Sequence, residues 1–153
     1  MSDNVYGIRA TIEAIKAGKE VNKILVQKGL NNPLFNELNE LIKDHKIPVQ
    51  NVPIQKLNKL TRENHQGVVS LISPISYWDI GDVVYELIEE GTTPLILVLD
   101  RITDVRNLGS IARTAECLGV HAIVIPKRES AQVTPDAIKT SAGALHRIKV
   151  CRE

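Results

Sequence analysis

Pro94-Leu95-Ile96-Leu97-Val98-Leu99, followed by Asp100-Arg101-Ile102-Thr103-Asp104-Val105-Arg106-Asn107-Leu108-Gly109-Ser110-Ile111-Ala112-Arg113-Thr114-Ala115, is the stretch on which the fold turns. Its first six residues form an apolar run that reads as a fully buried strand of a parallel sheet. Farther on, Leu108, Ile111, Ala112, Ala115 and Leu118 fall on one helical face, with the helix spanning 108–118, and Gly119 stands where a helix stops. The loop between them is dense in Asp, Arg, Thr and Asn. Strand, polar loop and helix start make the usual place for chemistry on an open α/β sheet, where sites form outside the carboxyl ends of strands. Ser110, Arg113 and Cys117 make a stripe opposite the apolar face, which presents Arg113 outward. Taken singly, Asn107 reads as a helix N-cap, Arg113 as a solvated helix residue and Asp100 as a cap on the loop.

Upstream, Ile8, Ile12 and Ile15 lie at helical spacing over Ile8 to Ala17, and Gly18 marks the stop. Val21 to Val26 reads as a strand. Asn32-Pro33 opens a second helix, lined by Leu34, Leu38, Leu41 and Ile42, since proline is tolerated in a first turn. A short strand over 49–52, a short helix over 53–60 and a strand over 66–72 complete an alternating pattern. It predicts a small three-layer α/β domain over residues 1–73. Residues 74–93 read as a linker followed by an amphipathic helix with Ile80, Val83, Val84, Leu87 and Ile88 on its packed face; Trp78 reads as a packing anchor. A second domain over 94–153 then runs strand, motif loop, helix, strand over 121–125, helix near 135–141, and a strand beginning at 147–150.

The totals exclude several classes. With 153 residues and 43% hydrophobic composition the chain can build a core, and no stretch has the composition of disorder. No run approaches the roughly 18 apolar residues of a membrane span, and Met1-Ser2-Asp3-Asn4 has no secretory pattern. Cys117 and Cys151 stand alone, as free thiols of a reducing cytoplasm do, and the four histidines show no metal-ligand spacing. The net charge of +1 hides an uneven distribution. Residues 1–73 carry ten Lys/Arg against seven Asp/Glu, 74–99 none against five, and 100–153 nine against six. Two mildly basic segments flank an acidic connector, which permits RNA contact through local patches.

The motif stretch resembles motif 1 of the SpoU/TrmH family of RNA ribose methyltransferases: a strand, then Asp-x-x-x-Asp-x-x-Asn-x-Gly-(Ala/Ser)-x-x-Arg-(Ser/Thr)-Ala. Every specified position is met here, and the likeness continues through Gly119-Val120-His121-Ala122, Ser130-Ala131-Gln132 and Ser141-Ala142-Gly143-Ala144. In the first domain, Tyr6-Gly7-Ile8 and His65-Gln66-Gly67 resemble the substrate-binding domain of the family's ribosomal-RNA branch, itself similar to small RNA-binding ribosomal proteins. The resemblance implies an S-adenosylmethionine-dependent 2′-O-methylation of a ribose, of a guanosine in 23S ribosomal RNA, by a cytoplasmic enzyme that is a homodimer when intact. It implies Asn107 and Arg113 as catalytic residues and Arg9, Arg62, His65, Gln66 and Arg106 as RNA contacts, with His65 offering a stacking ring. No metal is expected from the histidine spacing. The family's cofactor-binding segments, a Gly-x-Glu stretch and an Ile-Pro-Met segment followed by Ser-Leu-Asn-Val-Ser, do not occur downstream of motif 1 in this sequence. The chain therefore reads as the N-terminal domain plus the first half of the SPOUT (α/β knot) methyltransferase domain, the knot itself missing, and is expected to be inactive alone, with an exposed sheet edge. A non-catalytic RNA-binding module and a transfer-RNA ribose methyltransferase remain as alternatives.

Overall fold

Alternation along the strands decides both halves of the molecule. In the computed structural model, which describes residues 4–153, the chain divides into a unit ending at Ser73 and another beginning at Pro74. In the first unit, β1 (Val5–Tyr6), β2 (Val21–Gln27), β3 (Val49–Val52) and β4 (Val68–Ile72) form one sheet in the order β1-β4-β2-β3. β2 runs parallel to β3 and antiparallel to β4, and β1 is antiparallel to β4. Ile24, Val26 and Val68 point to one face, where they meet Ile8, Ile12 and Ile15 of α1 (Ile8–Lys16) and Leu38 and Ile42 of α2 (Pro33–Asp44). Leu25 and Val69, one residue out of phase, meet Leu57 of α3 (Ile54–Leu60) on the other. The two-residue β1 is too short to show a period in the sequence.

The second unit repeats the principle with a parallel sheet. β5 (Ile96–Val98), β6 (Ala122–Ile125) and β7 (Lys149–Arg152) lie in sequence order, Leu97 opposite Ile123 and Ile123 opposite Val150. Ala122 and Cys151 face Val83 and Leu87 of α4 (Ile80–Glu89). Ile123, Ile125 and Val150 face the opposite layer, made by α5 (Val105–Cys117), α6 (Pro135–Thr140) and a 3₁₀ turn over Ala144–His146. α5 and α6 approach so closely that Gly109 is required where they cross, since a Cβ there would lie 2.8 Å from the Ala137 carbonyl oxygen. The main chain of Trp78 joins β7 through an N–H donated to Val150 O at 2.9 Å. The residue is 48% exposed, with the Lys149 ammonium 4.9 Å from the ring centroid.

Four expectations are corrected. β5 is not fully buried: it pairs only with β6, which leaves it at the sheet edge with Val98 68% exposed. α5 begins at Val105 rather than 108, and its N-cap is Asp104, whose Oδ1 accepts the Asn107 N–H at 2.8 Å. Asn107 is therefore the third helical residue and not the cap. Leu118 does not join the apolar face, because it follows the last helical residue and is 72% exposed. Ile88 leaves the packed face of α4 and is 58% exposed.

Candidate functional site

The loop leaving β5 is built by backbone contacts to its neighbour. Ile102 O accepts the Ala131 N–H at 2.7 Å and the Ser130 hydroxyl at 3.3 Å, which ties it to the loop leaving β6. Arg101 is held at φ 55°, a left-handed conformation uncommon outside glycine. Its guanidinium is 3.8 Å from Asp100, but both side chains are more than three-quarters exposed, so the pair contributes little. Asp104 spends its carboxylate on capping α5, and a negative charge there also suits the helix dipole.

α5 then displays the expected residues on two lines. At about 100° per residue, Arg106 and Arg113 lie seven positions and so nearly two full turns apart, on the stripe that also carries Ser110 and Cys117. All four are exposed. Asn107, also exposed, lies about 100° round the axis, on the line of Ile111 and Thr114. Among the described residues neither Arg106 nor Arg113 forms an ion pair. The nearby Glu116 is engaged by Arg147, whose Nε and Nη2 donate to its two carboxylate oxygens at 2.5 and 3.0 Å. That bidentate contact lowers the Glu116 carboxyl below its usual range and raises the guanidinium of Arg147. The helix thus offers two free cations about 10 Å apart along its axis, at 1.5 Å rise per residue.

In the first unit the expected RNA contacts gather at the turn before β4. Arg62 and Gln66 are exposed, as is Arg9 in the first turn of α1. His65 differs. It is 9% exposed, and both ring nitrogens are used: Nδ1 accepts the Gly67 N–H at 3.0 Å, and Nε2 lies 2.8 Å from Asn58 Oδ1. Since Nδ1 accepts, the proton sits on Nε2 and is donated to Asn58. A ring so enclosed does not present a face for base stacking, which corrects the role expected of it. Asn58, on the last turn of α3, was not singled out from the sequence, because its partnership with His65 exists only in the fold. Gln66 lies against Gly7, where a Cβ would come within 3.3 Å of the Gln66 Oε1.

The implied cofactor, S-adenosylmethionine, carries an adenine edge, two ribose hydroxyls and a zwitterionic amino acid, all of which demand matching polar groups. A cleft of about 370 Å³ beside β5 is lined by Leu97, Ile111, Ala115, Leu118 and Val120 with the hydroxyls of Ser110 and Thr114, and the Thr114 hydroxyl already donates to Ser110 O at 3.2 Å. A smaller one of about 230 Å³ lies among Ile75, Ser76, Trp78, Leu145, His146 and Ile148. Neither set of residues fits the cofactor. Among the described residues no three His, Cys, Asp or Glu side chains are placed to hold a metal ion, and no helix is long and apolar enough to cross a membrane.

Comparison with known proteins agrees across both units. Residues 4–78 match the family model for RNA 2′-O ribose methyltransferase substrate binding, and residues 94–153 match that of the SpoU rRNA methylase family. The chain is 42% identical over 153 residues to a Staphylococcus aureus protein assigned to the TrmH family of tRNA/rRNA methyltransferases, covering 99% of this chain and 62% of that protein. A Staphylococcus haemolyticus protein of the same assignment is 37% identical over 148 residues, 97% of this chain and 59% of the relative. The chain thus spans about three-fifths of these relatives' length. Among solved structures, the SpoU methyltransferase AviRb from Streptomyces viridochromogenes, in complex with AdoMet, is similar over 97% of this chain and 53% of its own, at 22% identity and a TM-score of 0.42. With one SpoU model on each unit and close relatives along its whole length, the chain belongs to the SpoU/TrmH family of RNA methyltransferases.

Proposed function

We propose that this chain carries the RNA-binding and substrate-facing residues of an S-adenosylmethionine-dependent 2′-O-ribose methyltransferase. The proposed target is a guanosine of 23S ribosomal RNA, methylated in the cytoplasm by a homodimer. Bound S-adenosylmethionine would supply an electrophilic methyl group; its site draws on parts of the relatives that this chain does not span, so the chain alone is expected to be inactive. A ribose hydroxyl is a weak nucleophile at neutral pH, and the cost of reaction falls when a fixed cation faces the alkoxide that develops as the proton leaves.

The observation that carries the reading is Arg113, exposed and, among the described residues, without an ion pair, on a helix whose start is fixed by Asp104. Arginine is a poor proton acceptor, with a pKa above about 12, so its role is electrostatic. Arg106, on the same stripe, suits a backbone phosphate, and Asn107, on the adjacent line, offers an amide to orient the nucleotide. Arg9, Arg62 and Gln66 are assigned to RNA contact in the first unit. The test is Arg113→Ala in the intact enzyme. Methyl transfer to ribosomal RNA should fall by about 10²-fold or more, the usual loss on removing a group that stabilises a developing oxyanion, while RNA affinity changes little. Wild-type turnover by that variant would refute the assignment. Titration of S-adenosylmethionine into the 153-residue chain should give no saturable heat, and sedimentation of the intact protein should give a dimer.

A further inference from the structure

The turn before β4 contradicts ordinary residue preference. Gln66 and Gly67 both have positive φ, 48° and 81°, and the Val68 N–H closes the turn on His65 O at 2.7 Å. Two central residues of positive φ define the type I′ turn, whose first position favours asparagine, aspartate or glycine. Glutamine there is a strained choice, and such strain persists only where surrounding contacts enforce it and tends to mark function. The enforcing contact is the His65 ring. Its Nδ1 takes the Gly67 N–H as the side chain of an Asx turn does, while Asn58 fixes the ring through Nε2. What the strain achieves is placement: the Gln66 side chain is exposed, lies over Gly7 and makes no hydrogen bond to the described residues.

We infer that His65 and Asn58 are positioning residues that hold Gln66 in its left-handed conformation, so that its amide reads the edge of an unpaired RNA base. The inference rests on the RNA-contact reading of the first unit and adds which side chain recognises the base. A primary amide donates and accepts side by side, matching the edges that splayed-out bases present in single-stranded loops.

The test uses the whole chain and fluorescein-labelled RNA hairpins that share one stem and carry A, C, G or U loops, read by anisotropy, with circular dichroism confirming the fold. The wild-type chain should prefer one loop. Gln66→Gly should relieve the strain, so thermal stability rises, yet affinity for the preferred loop should fall about fivefold to tenfold and the preference vanish; a purely structural glutamine would not separate the two readouts. His65→Asn keeps an acceptor for the Gly67 N–H and should retain binding, whereas His65→Phe keeps a ring without that acceptor and should lose it. Retention by His65→Phe with loss by His65→Asn would overturn the inference in favour of a stacking ring. Hydrogen exchange of the Gly67 amide gives a readout without RNA: slow in wild type and His65→Asn, at least about tenfold faster in His65→Phe. Equal exchange in all three overturns the positioning role. A wild-type chain with the expected exchange pattern that binds no hairpin overturns the RNA-contact reading instead.

Discussion

Gly109 sets a sharp test of how the motif helix is seated. In an exposed helix, Gly→Ala gains about 1 kcal/mol because alanine has the higher helix propensity. Here the new Cβ would lie 2.8 Å from Ala137 O, 2.8 Å from Thr140 Cβ and 3.1 Å from Ser141 N. Two of those atoms are backbone of α6 or its cap, so relief requires moving the segment and not merely turning a rotamer. Ordinary contact needs about 3.5 Å or more, which means a shift of several tenths of an ångström and, across the fully buried Ala137, lost dispersion with the sheet. Overpacking of this kind costs about 1–3 kcal/mol, and three close contacts, two of them backbone, place this site at about 2–3 kcal/mol; less the propensity gain of about 1 kcal/mol, the net effect should be a destabilisation of about 1–2 kcal/mol. Urea unfolding monitored by Trp78, the single tryptophan and a reporter of the second unit, isolates the change. With a slope near 1 kcal/mol/M, the midpoint should drop by about 1–2 M. Gly81→Ala on α4 is the control, since its Cβ would meet only the Asp79 carboxylate oxygen at 3.0 Å, and its midpoint should not fall and should rise by up to about 1 M. An unchanged or higher midpoint for Gly109→Ala would refute the close crossing of α5 and α6.

Three further outcomes follow from particular contacts. Asp104→Ala removes the cap of α5 and should cost about 1 kcal/mol, measurable as a lower urea midpoint of the same Trp78 signal, with Asp104→Asn restoring most of it. Cys117 is exposed, whereas Cys151 is buried and its thiol is pushed up, first by burial and then by Glu153 and Asp79. Iodoacetamide on the native chain should therefore label one cysteine, identified as Cys117 by peptide mapping, and reach Cys151 only after denaturation. The Glu116 carboxyl is lowered in the folded state by the Arg147 hydrogen bond, so the pair stabilises the fold above the unfolded glutamate range and loses that contribution as pH falls below about 4. Glu116→Gln should accordingly lower the melting temperature slightly at pH 7 and have no effect near pH 3.

The parts of this fold that could be read from sequence are those that repeat. Ile24-Leu25-Val26 and Ile123-Val124-Ile125 announce strands, and the spacing of Ile8, Ile12 and Ile15 announces a helix, because a buried face recurs at the period of its backbone. The seven-residue interval from Arg106 to Arg113 likewise places two cations on one stripe of any helix that contains both. Pairing is different. Whether β5 is central or at an edge depends on which strands lie beside it, and an apolar run looks the same in either place. The α5 cap is ambiguous in sequence for a related reason: Asp104 and Asn107 are both good caps, and the choice falls to Asp104 because the helix includes Val105. His65 shows the deepest limit. Its ring chemistry suits stacking, capping or catalysis equally, and only the arrival of Asn58 from α3 and of the Gly67 N–H selects among them.

Backbone strain separates the remaining loops by the same reasoning. Among the described residues, five other than glycine have positive φ: Lys46, Gln66, Arg101, Glu129 and Ala142. Lys46 and Ala142 end α2 and α6, each in a Schellman arrangement in which the next N–H reaches back six residues inclusively, from Ile47 to Ile42 O and from Gly143 to Ile138 O, both at 3.0 to 3.1 Å. α1, α4 and α5 close in the same way with Gly18, Gly91 and Gly119, so at these two positions helix termination explains the conformation completely. No helix end accounts for the other three. Gln66 lies in the turn beside the start of α1, and Arg101 and Glu129 lie in the loops leaving the carboxyl ends of β5 and β6, which are joined through Ile102, Ser130 and Ala131. Each costs of order 1 kcal/mol that a glycine would recover. In a parallel sheet those carboxyl ends are where sites form. The strain that termination leaves unexplained therefore falls beside the residues proposed to contact RNA: on Gln66 itself in the first unit and, in the second, on Arg101 in the loop that leads into α5.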